Sequence, residues 1–417
     1  MHPALRRLHR LLNLLQTGWS ILGITLVVLI VTEAIFRAGF ALKDWLGAEA
    51  RPDRRVLVEG YGGATWPVQH YRELESLADR WEPYVYFRQQ PLKGQTITIT
   101  PDGLRQTWEP PPPAPGSRPG RKPVEILMLG GSSLWGFGAR DEQTIPSLLA
   151  RQLFERGWDV RIRNLAEIGY VSTQEVVALL RELQAGYRPD VVIFYDGVND
   201  TTSAYLEGQA GVTTNEVNRR REFNLLQSPG RLATALMASL VGHSGSSRFA
   251  QAVRRRFGGD SGAPALKIAP GQFGLIGGGV VWSYEANVSI VERLGREFGF
   301  QPLFYWQPVV FNKATKVPFE REEALRFAWA EPMFRDVSAA LHASTALGSD
   351  PAFHDLSGIF AESNGLVFID YCHTTEAANA RVAAAMAGDL APILRSPAPP
   401  GRKPADGGSR PGRADVQ

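Results

Sequence analysis

The stretch "VEILMLGGSSLWGFGARDEQT", Val124 to Thr144, decides the fold. A continuous apolar run ends in two glycines and two serines, and helical periodicity then covers Asp141 to Arg156. Residues apolar at consecutive positions describe a strand covered on both faces, which requires a parallel sheet between helices. The unit recurs. "DVRIRNL" leads to a helix near Ser172 to Leu183, "PDVVIFYDG" is a third apolar strand, and "FQPLFYWQPVV" and "GLVFID" read as later strands with helical pattern beside them. Ser172 and Glu175 in "STQE" form a capping-box pattern at the second helix. The expectation is an α/β layer fold with a parallel sheet, over 124–394.

Outward from that block, 417 residues with 44% hydrophobic and 21% charged content suffice for one large core with insertions, or for two domains. A net charge of +3 spread over scattered Lys and Arg gives no phosphate-binding face, so nucleic acid is not an expected partner. The single cysteine, Cys372, excludes an intrachain disulfide framework and a cysteine-based zinc cluster. Leu11 to Thr32 carries no charge and is long enough, as a helix, to cross a hydrocarbon layer about 30 Å thick. It reads as a transmembrane span within an anchor at 1–46, against two alternatives. One is a buried core helix; the other is a signal peptide cleaved near "AGFA", Ala38 to Ala41. Arg6, Arg7 and Arg10 before the span, against Arg37 and Lys43 after it, tilt the orientation toward a cytoplasmic N-terminus by a narrow margin.

Residues 47–123 read as a β-rich accessory segment, with "YVYFRQQ" and "QTITITPDGLRQTW" around a Pro-Asp-Gly turn, followed by the Pro-rich linker "EPPPPAPGSRPGRKP". An insertion at about 201–279 holds the basic patches "NRRREF" and "RRRF" and a helical "LATALMASLVG". Insertions at this edge become lids or substrate walls; the patches read as solvated faces or as contacts for anionic polymer or lipid headgroups. The tail at 395–417 lacks the apolar content to order itself.

In open α/β sheets, chemistry gathers past the carboxyl ends of the strands. There the chain places Ser132 in "GGSSLWG", Gly169 in "NLAEIGY", Asn199 in "YDGVND", and Asp370 three residues before His373 in "DYCHTTE". These residue types suit acyl transfer: a serine nucleophile, an imidazole base and an orienting carboxylate. The Ser132 N–H, the Gly169 N–H and the Asn199 amide are candidate donors to an oxyanion. Each block alone has a plainer reading, as a turn, a helix cap or a surface histidine. "GGSSLWGFG" has the wrong glycine spacing for a dinucleotide loop, and no Gly-Lys-Ser/Thr accompanies it as in a phosphate loop. Trp306 and Gln307, past another strand, are candidates to line the pocket or to pack.

In order and spacing these blocks resemble the SGNH (GDSL-like) hydrolase superfamily over roughly Val124 to Leu394. The resemblance implies a three-layer α/β/α flavodoxin-like fold, with Ser132 as nucleophile, Asp370 and His373 completing a triad, and Ser132, Gly169 and Asn199 as the oxyanion hole. Gly136 matches the family's next glycine, which selects Ser132 over Ser133 and leaves Ser133 as a turn residue. The family often has Asp before the nucleophile; this chain has Gly131. The resemblance thus implies an acyl-ester hydrolase or O-acyltransferase working through an acyl-serine, with no metal or organic cofactor. Its expected substrate is an acylated carbohydrate of envelope or exported polysaccharide. It is expected in the bacterial inner membrane, with its catalytic domain in the periplasm, the bilayer as one partner and polysaccharide-biosynthesis proteins as others. The alternatives are a lipid or thioester hydrolase, and a non-catalytic binding or scaffold protein of a membrane assembly.

Overall fold

The computed structural model describes residues 3–46, 53–58, 61, 63–111, 122–226, 230, 244, 246–247 and 269–395. Most of the linker, of the insertion's basic and apolar stretches, and of the tail lies outside the described residues. The chain divides into two compact units, one of Met1–Arg51 with Val217–Gly262 and one of Pro52–Glu216 with Ala263–Gln417. In the first, helix α1 runs unbroken over Pro3–Leu46. Its stretch Leu15–Lys43 is long and apolar enough to cross a membrane, a test that a signal sequence near the N-terminus also passes. Trp19 and Leu29 on it stand 71% and 61% exposed, as expected of a helix whose apolar surface has no protein cover.

In the second unit, helix α2 (Trp66–Glu75) precedes two short antiparallel pairs, β1 (Asp79–Glu82) with β2 (Tyr86–Gln89) and β3 (Leu92–Lys93) with β4 (Thr98–Ile99). The Pro101-Asp102-Gly103 turn is present, with Gly103 at φ +81 and its N–H donating to the Thr100 carbonyl. Ile97 and Ile99 join the main core, so this β-rich segment, with α2, packs as part of the sheet's own unit.

The sheet itself has five strands, β5 (Val124–Gly130), β6 (Val160–Asn164), β7 (Val191–Asp196), β8 (Gln301–Trp306) and β9 (Phe353–Asp355), in the order β6-β5-β7-β8-β9, all parallel. This is the flavodoxin-like order, with its switch point between β5 and β7. Alternate side chains divide between two cores, as the pleat demands. Ile126 and Met128 of β5 and Ile193 of β7 face α4 (Ile145–Glu155) and the C-terminal helix Glu376–Arg395. Leu127, Leu129 and Phe194 face α5 (Ser172–Gln184) and the helices Phe273–Phe298 and Glu331–Ala343. Each fully buried Leu, Ile or Phe contributes about 1.5–3 kcal/mol, so a strand that feeds two cores is fixed in register by both.

Two expectations are corrected. "GLVFID" is not a strand of the sheet; the fifth strand is the shorter Phe353–Asp355. The Val367 and Phe368 N–H groups donate instead to the buried Glu320 carboxylate, and Thr375 N–H returns to the Val367 carbonyl, which makes a turn of the segment. The capping residue of α5 is Val171, whose N–H donates to Gln174 Oε1. Ser172 donates to Asp200 across the helix boundary and Glu175 is buried, so neither serves as a cap.

Candidate active site

The carboxyl end of β5 turns at Gly131 into α3, a single helical turn over Ser132–Trp135. A Cβ on Gly131 would overlap Nδ2 of Asn199, so the close approach of two blocks demands glycine there. Gly169 is glycine for a different reason. It sits at φ +83 with open space around it, a left-handed conformation that side chains disfavour. Asn199 opens α6 (Val198–Glu207) just past β7, and its Nδ2 donates to the Tyr170 carbonyl at 2.7 Å. That bond uses one amide hydrogen and orients the other. Among the described residues, neither the Ser132 nor the Gly169 N–H donates to a protein acceptor.

His373 Nε2 lies 2.7 Å from Ser132 Oγ, and its Nδ1 lies 2.6 Å from Asp370 Oδ2. The other Asp370 oxygen accepts from the N–H groups of Cys372 at 3.0 Å and His373 at 2.8 Å. Burial works to raise the Asp370 carboxyl, but the His373 charge and hydrogen bond, with the two backbone donors, outweigh it and hold it at about 2. The acid is thus ionised at neutral pH. The imidazole is stacked on Phe137, ring centroids 4.2 Å apart at 25°. Ser132, Asp370 and His373, drawn from two distant stretches of sequence, form one hydrogen-bonded relay, with Gly131 and Asn199 against it.

Asp370, Cys372 and His373 also bring one donor atom each within 4.8 Å of one another, the spacing of a metal site. The donor set is otherwise engaged: Asp370 Oδ1 already accepts from the Cys372 and His373 N–H groups, and the Cys372 thiol is buried. His373 Nδ1 is already engaged by Asp370.

Other residues take clearer roles than their sequence suggested. Ser133 Oγ donates to the Cys372 carbonyl at 3.4 Å and accepts from Gln307 Nε2 at 3.2 Å, which ties the nucleophile turn to the histidine turn. Trp306 is buried beneath Gly197 and against Tyr284, and with Gln307 it lines a small cavity beside Val198 and Thr201. Below Asn199, Asp200 accepts from Ser172 Oγ at 2.6 Å, and Asn287 Nδ2 donates to the same hydroxyl at 2.9 Å. Burial pushes Glu175 and Asp196 well above the carboxylate range, and at Glu175 repulsion from Asp196 adds to it, so the pair holds on to a proton. Phe137 and this buried acidic group carry no motif that spacing reveals.

No protein-family model matches the chain, and a search of the curated proteins gives no match. Solved structures similar to it include TesA, at 17% identity and TM-score 0.34, covering 64% of this chain and 99% of that one. The acetylxylan esterase Axe2 from Geobacillus stearothermophilus is 12% identical with TM-score 0.34, covering 64% and 94%. A lipolytic-type protein of the G-D-S-L family from Desulfitobacterium hafniense is 9% identical with TM-score 0.35, covering 64% and 99%. These likenesses concern the fold; the reading of the site rests on its own geometry.

Proposed function

We propose that this protein is a serine-dependent acyl-ester hydrolase or O-acyltransferase that works through an acyl-serine. One observation carries the reading: a serine hydroxyl 2.7 Å from an imidazole whose far nitrogen is 2.6 Å from a buried, ionised aspartate. In the proposed sequence Ser132 Oγ attacks the acyl carbon as its proton passes to His373 Nε2. The oxyanion meets the Ser132 and Gly169 N–H groups and the free Asn199 amide hydrogen. Collapse expels the alcohol, which takes the proton from Nε2 and leaves an acyl-serine. Water or an acceptor hydroxyl then attacks, giving up its proton to Nε2, and Ser132 recovers it as the acid or new ester departs. Asp370 stays ionised throughout and holds the imidazole in the tautomer that can accept at Nε2. The chemistry of the site's own groups suffices for these steps, and O-acyl groups of envelope or exported polysaccharide are the substrate that a membrane-anchored site of this kind suits.

Purified full-length protein in detergent is expected to hydrolyse p-nitrophenyl acetate and to be labelled by a fluorophosphonate at Ser132, as located by peptide mapping. Ser132→Ala is expected to abolish labelling and to lower kcat on the order of 10⁴-fold or more. Equal rates in the two proteins would end the esterase reading. Faster product release on adding a sugar acceptor, with acylated sugar formed, selects transfer over hydrolysis.

A further inference from the structure

The two groups that hold the His373 ring, Asp370 beneath it and Phe137 stacked on it, meet at one side chain from outside the sheet: Arg55. It lies in the short 3₁₀ turn Arg54–Leu57. Its Nε and Nη2 donate to the two carboxylate oxygens of Asp53 at 2.9 and 2.6 Å, a two-pronged pairing that fixes the guanidinium plane. The guanidinium carbon Cζ lies 4.6 Å from the Tyr71 ring centroid and 4.8 Å from that of Phe137. Nη1 is 3.9 Å from Asp370 Oδ2, the same oxygen that faces His373 Nδ1.

The turn has a second anchor in Arg54, which pairs with Glu322 at 2.6 Å, and α2, which carries Tyr71, is docked by contacts that do not involve Arg55. Arg140 pairs with Glu376 at 2.7 Å and covers the Trp66 ring, and Glu73 accepts from the N–H groups of Gln95, Thr96 and Ile97. Those contacts hold α2 in place without it. A surface arginine ordinarily keeps most of its side-chain freedom. This one, 27% exposed, is held on several sides and directed at the relay.

Resting on the function proposed above, we propose that Arg55, clamped by Asp53, is a positioning residue that holds the Asp370 carboxylate directly and the His373 ring through Phe137, in line with Ser132. Among the described residues, the charged and titratable groups around it are Asp53 on its own turn, Asp370 on the histidine turn, Glu323 with Arg54 and Arg326 beside it, His70 on α2, and the hydroxyls of Tyr61 and Tyr71. Asp53 neutralises much of the guanidinium charge. What remains points its positive end at a carboxylate that an imidazolium would share, and so opposes protonation of the base.

The test compares full-length Arg55→Gln, Arg55→Lys and Asp53→Asn with the parent. Each is followed by kcat and KM on p-nitrophenyl acetate across pH and by the rate of fluorophosphonate labelling. Arg55→Gln is expected to lower kcat about tenfold, in line with the cost of a misplaced catalytic group, with KM changed less than about twofold. It is also expected to move the acid limb of kcat/KM upward by a few tenths of a pH unit, a shift kept small by solvent screening. Arg55→Lys, which keeps the charge and loses the planar fork, should restore the acid limb but not kcat. Asp53→Asn, which frees the guanidinium, should cost kcat a few-fold and decides the matter if Arg55→Gln does not fold. Parent-like kcat and an unmoved acid limb in Arg55→Gln overturn the inference; so does parent-like kcat in Asp53→Asn. A parent protein that neither hydrolyses nor labels overturns the hydrolase reading itself.

Discussion

Gly131 shows how much one missing carbon does. The resemblance leads one to expect an acidic residue before the nucleophile, and the structure gives the reason for its replacement here: the Asn199 amide occupies the space a Cβ would take. Backbone strain is not the issue, since Gly131 sits at φ −82, open to any residue. Gly131→Ala is therefore expected to fold but to push Asn199 aside, lowering kcat/KM on the order of 10²-fold, the scale of losing one oxyanion donor. Gly131→Ala combined with Asn199→Ala should cost little beyond either change alone. Additive losses would show that the two do not act through the same contact. At this scale the sequence was legible wherever a residue type is itself the chemistry. Asp370 and His373 could be named from residue type and spacing and Ser132 by the resemblance, and the three meet. Arg55 and Phe137 could not, because their roles come from stacking and from a contact across the fold, which leave no periodic trace.

Among the elements, the junction of β7, α5 and α6 holds a buried group of acids whose protonation is part of the fold. Glu175 carries a carboxyl whose folded-state pKa is raised by burial and by Asp196. The folded protein thus keeps a proton that the unfolded chain releases above about 4.5, and stability must fall as pH rises from there through the raised value. Glu175→Gln has no proton to lose, so its melting temperature should decline less than the parent's as pH rises above about 5, as the linkage requires. Parallel curves would show that Glu175 is not the group that keeps the proton. Glu167, buried and raised to about 7, titrates in both proteins and leaves the difference unaffected. Strand and helix assignments were legible where apolar runs feed two cores. They failed at "GLVFID", whose apolar run serves a turn held by Glu320, and at "STQE", whose polar spacing serves a buried network rather than a cap. Sequence pattern records burial, and a buried turn and a buried strand look alike in it.

For the molecule as a whole, the sheet order places the relay at the β5–β7 switch point, where a parallel α/β sheet leaves a crevice. The N-terminal helix is long and apolar enough to cross a membrane, a test that a signal sequence also passes, so the side on which the proposed hydrolase works is set by that helix's orientation. A reporter fused after Gln417 that is active only outside the cytoplasm is the expected outcome, and a reporter active only inside would reverse the orientation. The fold class was legible from four apolar runs alone. The packing of residues 53–108 into the sheet's own unit was not, because a Pro-rich stretch in between resembles a domain border whether or not the segments on either side share a core.

The chain's one thiol offers a way to watch this site. Cys372 adjoins His373, is 3% exposed, and has Ser133 bonded to its carbonyl. An alkylating reagent can reach it only when the histidine turn lifts away from the sheet, so the speed of its modification reports how often the resting relay comes apart. With no second cysteine to confuse the signal, the native protein arrives already fitted with a probe of its own breathing.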